Sequence, residues 1–309
     1  MTHLFIINPA AGSRDRTEDY RKQINRICGE RGLDYRIHVS AAPGDCARAA
    51  REAAQTGAEY RIYACGGDGT LNEIVGGVAG FPNVSVTCYR GGSGNDFVRI
   101  FDDPDAFQDL EQLLDSREME VDLIRCNDDY CVNICSVGLD SRIAADVSNY
   151  KRLPLLSGFR AYALSTLVNV IKGISEHYVV DIEGETLDAR QTMICVCNGR
   201  YYGGGFNPVP DADPCDGTLE VLLVKHVSRL QVPGVIGKYK NGLYKELSHL
   251  VRHVRTKELR IRCDKITPIN LDGESRPAQE VWIRLAKEKL RFFYPKQLSW
   301  QAKVPAAVK

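Results

Sequence analysis

The sequence has no excess of charge of either sign. Of its 309 residues, 40 are Lys or Arg and 40 are Asp or Glu. A chain without a net basic field exerts no general attraction on nucleic acid. We therefore expect no nucleic acid among its partners, and any anion that it binds must be held by local groups.

The sequence also lacks paired cysteines of the kind that hold zinc. Its 11 cysteines are scattered along the chain, and no two of them form a CxxC pair or a zinc-ribbon spacing. Scattered cysteines in an intracellular chain are more typical of buried free thiols than of a disulfide framework. The cysteines therefore favour a reducing cytoplasm.

Uninterrupted apolar runs of membrane-spanning length are missing. The longest apolar stretch, residues 153–174, contains Arg160 and Lys172, and the first 12 residues show no basic region followed by a long apolar core. We expect a cytoplasmic protein with at most transient peripheral contact to a membrane. Residues 153–174 are interpreted first as a helix packed on a sheet, and alternatively as a segment that rests on a membrane surface.

Short strand-like runs alternate with helical segments of 10 to 15 residues from residue 3 to about residue 125. This alternation predicts an α/β domain with a mostly parallel sheet and flanking helices. We assign it to residues 1–124. Ligands of such sheets bind beyond the carboxyl ends of the strands.

The pattern changes after residue 125 to strand-rich segments joined by turns and interrupted by two or three helices. It predicts a β-rich antiparallel second domain, sandwich-like or barrel-like, over residues 125–295. Residues 296–309 are expected to pack back on the first domain. In this second half, "HLVRH" (249–253) spaces two histidines as a helical zinc site does, but a basic helix face in solvent is the favoured interpretation.

Four loops rich in glycine and asparagine each follow a predicted strand, at residues 8–12, 40–45, 66–70 and 91–97. They match no standard nucleotide signature: Asn72 occupies the third glycine position of the dinucleotide fingerprint, and no Walker A motif is present. Glycine nevertheless lets the backbone approach phosphate closely, and a helix beginning near Thr70 offers free N–H groups. Four such loops at one sheet edge predict a phosphate site.

Asp68 stands in the middle of "GGDGT" (66–70), where a negative charge would repel phosphate. A divalent cation between them removes the conflict, because Mg²⁺ is commonly held by one or two carboxylates together with substrate phosphates. The alternative is that Asp68 only caps the following helix. Asp96 and Asp122 follow neighbouring strands, and three carboxylates at one edge favour the metal.

The motifs "NPAAG" (8–12), "GGDGTLNEIVGG" (66–77), "GSGNDFVR" (92–99) and "NLDGE" (270–274) together resemble the catalytic domain of diacylglycerol kinases, a family that includes bacterial soluble lipid kinases and is related to sphingosine kinases. The resemblance extends over nearly the whole chain. It implies an NAD-kinase-like fold with ATP between the two domains. The residues that it assigns to the nucleotide are Asn8, Pro9, Gly12, Ser40, Gly66, Gly67, Asp68, Gly69, Thr70, Asn72, Ser93 and Asn95.

The resemblance also assigns catalytic and metal-binding roles. It makes Asp68, Asp96 and Asp122 a network around the catalytic Mg²⁺, and it makes Glu274 the proton acceptor. It further suggests a structural Mg²⁺ in "DPCDG" (213–217), held by Asp216 with main-chain oxygens of Asp213 and Thr218. For this last site an ordinary Asp-Gly turn is an equally good interpretation.

The function that follows as an expectation is transfer of the γ-phosphate of ATP to a lipid hydroxyl, with diacylglycerol as acceptor and phosphatidic acid as product. The alternatives are a sphingoid-base kinase, an NAD kinase, and a non-catalytic protein that binds nucleotide or lipid. The expected cofactors are ATP and Mg²⁺. The expected partner is a lipid substrate at a membrane surface, and a homodimer is the expected assembly if the protein oligomerises.

Overall fold

A computed structural model describes residues 1–91, 95–151 and 159–300. The chain divides into two compact units. The first unit contains Met1–Leu123 together with residues 286–300, and the second contains Ile124–Leu285. None of the helices within the described residues is long and apolar enough to cross a membrane.

The first unit is built on a parallel sheet with the strand order β2-β1-β3-β4-β13. The mostly parallel α/β domain expected from the sequence is thus confirmed. Its strands and helices, and the strand that leaves it, are β1 (Thr2–Ile7), α1 (Thr17–Glu30), β2 (Tyr35–Val39), α2 (Asp45–Gln55), β3 (Tyr60–Gly66), α3 (Asp68–Val78), β4 (Val84–Arg90), α4 (Leu110–Leu114) and β5 (Ser116–Cys126). Two short 3-10 helices, Phe97–Ile100 and Pro104–Gln108, follow β4.

The central strands of this sheet are buried on both faces, as parallel strands covered by helices usually are. Every residue of β4 is buried, and so are most residues of β1 and β3. Phe5 stacks on Tyr63 with 4.2 Å between ring centroids, and Phe293 meets Tyr63 edge-on at 5.0 Å. This aromatic packing holds the carboxyl ends of the strands at a fixed edge.

The second unit is a mostly antiparallel β-domain with helices against one of its faces, as the sequence predicted. Its elements are β6 (Asp129–Cys131), β7 (Ile134–Gly138), α5 (Leu139–Lys151), α6 (Phe159–Lys172), β8 (Glu176–Ile182), β9 (Glu185–Cys197), β10 (Leu219–Lys225), α7 (Val232–Lys240), β11 (Val251–Thr256), β12 (Glu258–Leu271) and β13 (Glu274–Pro295). Strands β7, β9, β8 and β12 pair in a closed ring.

Alternation along the strands gives the second unit two apolar clusters. Val196 and Ile261 lie in the cluster enclosed by the ring, whereas Cys195 and Leu222 point to a second cluster that α5 and α7 cover. All 11 cysteines are free, and ten of them are buried. The prediction of buried free thiols is therefore confirmed.

Two expectations about elements differ from the structure. Residues 286–295, which we assigned to the second domain, belong to the first unit because Arg291 and Phe292 of β13 pair with β4. Residues 249–253, whose histidine spacing we interpreted as a helix face, do not form a helix: the strand β11 begins at Val251, so His249 and His253 do not share a helix face. The Nε2 atom of His253 instead meets the carboxylate of Glu220.

Candidate active site

Three of the four predicted site loops of the first unit, those that begin at residues 8, 66 and 91, meet at a cavity of about 370 Å³. Because β1, β3 and β4 run parallel, the residues that follow them reach the same edge of the sheet. Asn8 follows β1, Gly66 and Gly67 end β3, and Gly91 follows β4. All four residues line the cavity, together with Gly12.

Asn8 and Thr70 connect two of these loops. The side-chain amide of Asn8 donates to Oγ1 of Thr70 at 3.1 Å, while Oδ1 of Asn8 accepts from the N–H of Ala10 at 3.0 Å. Thr70 is buried, and a Cβ atom added to Gly66 would lie 2.2 Å from its Oγ1. Only glycine at position 66 lets β3 turn this closely into α3, which leaves the backbone accessible from the cavity.

Asp68 is the first residue of α3, and its carboxylate spans two loops. It accepts hydrogen bonds from the backbone N–H groups of Asn95 at 3.0 Å and of Asp96 at 2.6 Å. The N-cap of α3 is Gly67, which supplies no side chain. The carboxylate therefore connects the beginning of α3 to the loop after β4.

The other two predicted metal-binding aspartates have cationic partners of their own. Asp96 lies 2.9 Å from Nε of Arg99, and the buried Asp122 lies 3.1 Å from Nζ of Lys289. Among the described residues, no three His, Cys, Asp or Glu side chains form a group that could hold a metal. The three aspartates thus do not form a joint ligand set among the described residues, and Arg99 and Lys289 balance the charges of Asp96 and Asp122.

The remaining predicted nucleotide residues are distributed around these loops. Pro9 lies beside Asn8. Gly69 lies in the first turn of α3, and the buried Asn72 lies later in the same helix. Asn95 has a φ of 78° and donates from its side chain to Sγ of Cys88 at 3.4 Å. Ser40 is buried, its hydroxyl donates to the carbonyl of Ala42, and it is not among the residues that line the cavity.

One predicted residue, Ser93, lies outside the described residues. Its role in nucleotide binding therefore stays a prediction from the sequence.

Among the lining residues that were not predicted are three with polar or charged side chains that can donate hydrogen bonds to an anion: Arg14, Arg16 and Tyr20. The two guanidinium groups lie 3.1 and 3.6 Å from Asp19, and Tyr20 donates to the carbonyl of Tyr89 at 3.0 Å. Burial raises the pKa of Tyr20 far above its ordinary value, so this side chain stays a neutral donor. Two cations directly after the "NPAAG" loop are a signal that could have identified them.

Glu274, the predicted proton acceptor, begins β13 at a tight hairpin of the second unit. Asp272 and Gly273 form a two-residue loop, and their φ values of 49° and 96° match a type I′ turn. The carboxylate of Asp272 accepts from the N–H groups of Val132, Asn133 and Ile134 at 2.7 to 3.0 Å. Glu274 itself is about half exposed, with Arg276 at 4.0 Å.

The turn expected to hold a structural Mg²⁺ uses its carboxylates within the protein. Oδ1 of Asp216 accepts from the N–H and the hydroxyl of Thr218 at 3.0 and 2.8 Å, and Oδ2 meets Arg255. Asp213 accepts from the N–H of Cys215 at 2.9 Å. With Gly217 at a φ of 73°, these bonds account for the Asp-Gly turn without a metal.

The arrangement in the first unit is suited to a phosphorylated ligand. Glycine backbone and the beginning of α3 present N–H groups with a partial positive charge, and two guanidinium groups line the same cavity. Asp68 places one carboxylate at the start of that helix. A carboxylate beside a phosphate site is the ligand type that Mg²⁺ uses.

Comparisons with known proteins agree with this geometry. The family model of the diacylglycerol kinase catalytic domain matches residues 2–126, and that of the YegS C-terminal NAD kinase beta sandwich-like domain matches residues 133–294. A "putative lipid kinase" of Staphylococcus carnosus (strain TM300) is 26% identical over 266 residues, which cover 84% of this chain and 86% of the relative. A similarly described protein of Staphylococcus epidermidis is 26% identical over 215 residues, 69% of each chain.

Solved structures show the same fold. The crystal structure of a "putative diacylglycerol kinase" from Bacillus anthracis str. Sterne matches with a TM-score of 0.74 and 22% identity, over 95% of this chain and 96% of the other. An NAD kinase from Archaeoglobus fulgidus in complex with ATP matches with a TM-score of 0.50 and 12% identity, over 98% and 94%. The predicted NAD-kinase-like fold is confirmed. The chain therefore belongs to the diacylglycerol kinase catalytic-domain family, with the YegS-type domain as its second half.

Proposed function

We propose that this protein is an ATP- and Mg²⁺-dependent lipid kinase that phosphorylates diacylglycerol and yields phosphatidic acid. The observation that carries the proposal is the cavity of the first unit, where Gly66, Gly67 and Asn8 line one space with Arg14 and Arg16. Backbone N–H groups and guanidinium groups together are the donors that polyphosphates need. Membership of a kinase family makes ATP the natural polyphosphate.

In this proposal the phosphates of ATP bind at the glycine turn before α3. This helix runs for 11 residues from Asp68 to Val78, long enough to present a full positive dipole end. None of the described residues has an atom within 4 Å of a Cβ built on Gly67, so they leave open space in front of this part of the backbone. Arg14 and Arg16 would neutralise the remaining phosphate charge.

Asp68 is the proposed protein ligand of the Mg²⁺ that accompanies the nucleotide. Bound there, the ion would neutralise charge that develops on the transferred phosphoryl group. The bonds from the N–H groups of Asn95 and Asp96 hold the Asp68 carboxylate in place and favour its charged form. Asp96 and Asp122, which pair with Arg99 and Lys289, would support this region as neighbours and not as ligands.

Glu274 is the proposed general base. Its carboxylate would accept the proton of the lipid hydroxyl while that oxygen attacks the γ-phosphorus, and the bond from the γ-phosphorus to the bridging oxygen of ADP would break. Two features fit this role: the side chain is about half exposed, and its hairpin is held by Asp272.

The choice of diacylglycerol rests on the family and on the names of similar proteins, which read lipid kinase or diacylglycerol kinase. The experiment that tests it offers a panel of acceptors with radiolabelled Mg-ATP to the purified full chain: diacylglycerol in mixed micelles, a sphingoid base, and NAD. The proposal expects label in phosphatidic acid. Label in NAD alone, or in the sphingoid base alone, would assign a different acceptor class to the same fold, and no label in any acceptor would favour a protein that only binds its ligands.

A further inference from the structure

The outer face of α6 carries apolar side chains where a helix facing solvent normally carries polar ones. Leu167 is 57% exposed and Ile171, one turn later, is 62% exposed. The inner face is polar: Ser165 donates to the carbonyl of Ile143 at 2.8 Å, and Asn169 donates to Asp146 at 2.9 Å. The polarity of this part of the helix is thus inverted relative to a solvated surface helix.

A third exposed side chain lies close to the end of the same helix. Arg229 donates to the carbonyls of Val170 at 3.2 Å and Ile171 at 2.8 Å, which attaches the segment before α7 to the end of α6. The next residue, Leu230, is 95% exposed. We call Leu167, Ile171 and Leu230, with the cations Lys172 and Arg229 beside them, the α6 surface.

The α6 surface contains a large share of the exposed apolar side chains in the described part of the chain. Seven large apolar residues are exposed in the described part of the chain, and three of them belong to this surface. Single exposed apolar residues are normal on a protein, but several together mark a site of interaction. The surface therefore needs a partner that accepts aliphatic groups.

The charge beside the aliphatic groups is positive. The 14 residues of α6 include no Asp or Glu. Lys172 is 59% exposed, with Asp146 at 3.4 Å, whereas Arg229 has no carboxylate within ion-pair distance among the described residues. Arg190 donates to the carbonyl of Ser175, which adds one further guanidinium group just after this helix, whereas Arg142, which donates to the carbonyl of Gly173, is paired with Glu176 at 3.7 Å.

We propose that the α6 surface docks on a lipid bilayer that contains anionic phospholipid. Leu167, Ile171 and Leu230 enter the boundary between headgroups and acyl chains, while Lys172 and Arg229 meet headgroup phosphates. This mode of attachment is weak and reversible, because only three aliphatic side chains insert. The inference rests on the proposed lipid substrate, which such contact would bring within reach of the kinase.

A second copy of the chain fits the α6 surface less well. A twofold dimer formed through this surface would bring the same patch of both copies together. Lys172 and Arg229 of one copy would then face the cations of the other. An anionic bilayer offers charge of the opposite sign along with an apolar interior, so it complements both parts of the surface.

Vesicle flotation of the full chain tests the docking. The probes are vesicles of phosphatidylcholine alone and of phosphatidylcholine with phosphatidylglycerol. The test variant combines Leu167→Ser, Ile171→Ser and Leu230→Ser. The matched control is Ile266→Ser, which changes an aliphatic side chain of the same unit that is 68% exposed but lies outside the α6 surface. Thermal unfolding is measured for each protein, and Leu230→Ser alone replaces the triple variant if that variant is unstable.

We expect the wild-type chain and Ile266→Ser to float with the anionic vesicles, less so at high salt, and the triple variant to bind about tenfold more weakly or worse. Equal flotation of the triple variant would overturn the proposal. Loss of a dimer in the triple variant with unchanged flotation would also overturn it and would make a second copy the occupant. A second assay, phosphorylation of a short-chain, dispersed diacylglycerol, separates the two proposals. If flotation depends on the α6 surface but no lipid is phosphorylated, the docking proposal stands and only the proposed function is wrong.

Discussion

At the scale of single residues, the phosphate site depends on which glycines have no room for a side chain. A Cβ on Gly66 would lie 2.2 Å from Oγ1 of Thr70 and 2.8 Å from its Cβ. The neighbouring Gly67 has an ordinary φ of −106°, and within the described part of the chain no atom lies within 4 Å of such a Cβ. Two adjacent glycines of one motif thus have different roles: Gly66 permits packing and Gly67 leaves space.

The first prediction compares alanine at these two positions. Gly66→Ala should lower the free energy of unfolding by about 1 to 3 kcal/mol, as overpacked sites do, and should weaken ATP binding because α3 must shift. Gly67→Ala should leave stability within about 0.5 kcal/mol of the wild type, the range of unstrained surface changes. Urea unfolding and a nucleotide titration measure both effects. Equal stability of the two variants would contradict the packing at Gly66.

His3 gives the stability of the first unit a pH dependence. It is buried beside Tyr63, with Nδ1 at 2.8 Å from the hydroxyl, and burial, then the nearby Arg61 charge, lowers its pKa from 6.5 to about 4. The folded state therefore holds a neutral imidazole. The contribution of His3 to the free energy of unfolding is fully present above pH 6.5. It is lost as the pH falls toward 4, because the histidine of the unfolded chain takes up its proton at a higher pH than that of the folded chain.

The second prediction follows from this shift. Between pH 7 and pH 4, the His3 contribution to the free energy of unfolding should fall by about 3 kcal/mol. His3→Gln should show a correspondingly flatter dependence over the same window. Urea unfolding at a series of pH values measures it, and a slope equal to that of the wild type would show that His3 does not titrate in this way.

At the scale of elements, the β12–β13 hairpin determines where the proposed base lies. Asp272 bonds three successive backbone N–H groups, of Val132, Asn133 and Ile134. These bonds fasten the hairpin to the segment before β7. Glu274 itself makes no comparable contact to the fold apart from its place in the strand pairing with Leu271. Asp272 therefore anchors the hairpin, while Glu274, two residues later, is the carboxylate proposed to act as general base.

The third prediction separates these two carboxylates. Asp272→Ala should lower the free energy of unfolding by about 2 to 4 kcal/mol, since it leaves buried N–H groups without acceptors, and should also reduce activity. Glu274→Gln should keep wild-type stability and lose activity. Thermal unfolding and lipid phosphorylation are measured side by side. If Asp272→Ala were as stable as the wild type, the anchoring role would be wrong.

Local patterns predicted some elements well and others poorly. The parallel sheet and its loops could be predicted because Asn8, Gly66 and Asp68 lie within short motifs beside strands. The helix face inferred from the spacing of His249 and His253 was wrong, because Val251–Thr256 pairs with β10, a tertiary effect that overrides this local spacing. The bonds from Asp272 to residues near position 133 span about 140 positions, so no local pattern could indicate them.

At the scale of the whole molecule, the two units each contribute one part of the proposed chemistry. The first unit supplies the cavity with Arg14, Arg16 and Asp68 at its edge or beside it, and the second supplies Glu274 and the α6 surface. Sequence motifs identified the glycine loops with Asp68 in the first unit and Glu274 in the second. Arg14 and Arg16 were missed although two cations directly after "NPAAG" are a local signal, whereas Leu230 could not be identified from the sequence because its importance depends on its exposure.

The fourth prediction concerns the metal. Lipid phosphorylation should stop when a chelator removes Mg²⁺ and should return when Mg²⁺ is restored, while the far-UV circular dichroism stays unchanged, because the protein supplies no preassembled cluster of metal ligands among its described residues. Asp68→Asn should raise the Mg²⁺ concentration required by about tenfold or more. Activity without any divalent cation would contradict the role given to Asp68.

The most direct test of the central claim measures the rate of phosphate transfer from radiolabelled ATP to diacylglycerol by the wild type and by Glu274→Gln. ATP affinity is measured on the same preparations. The account predicts that kcat falls by about 10² to 10⁴ in the variant, the range for loss of a general base, while the Kd for ATP changes by less than about twofold. A variant that phosphorylates diacylglycerol at the wild-type rate, or a wild type that phosphorylates no lipid, would contradict the account.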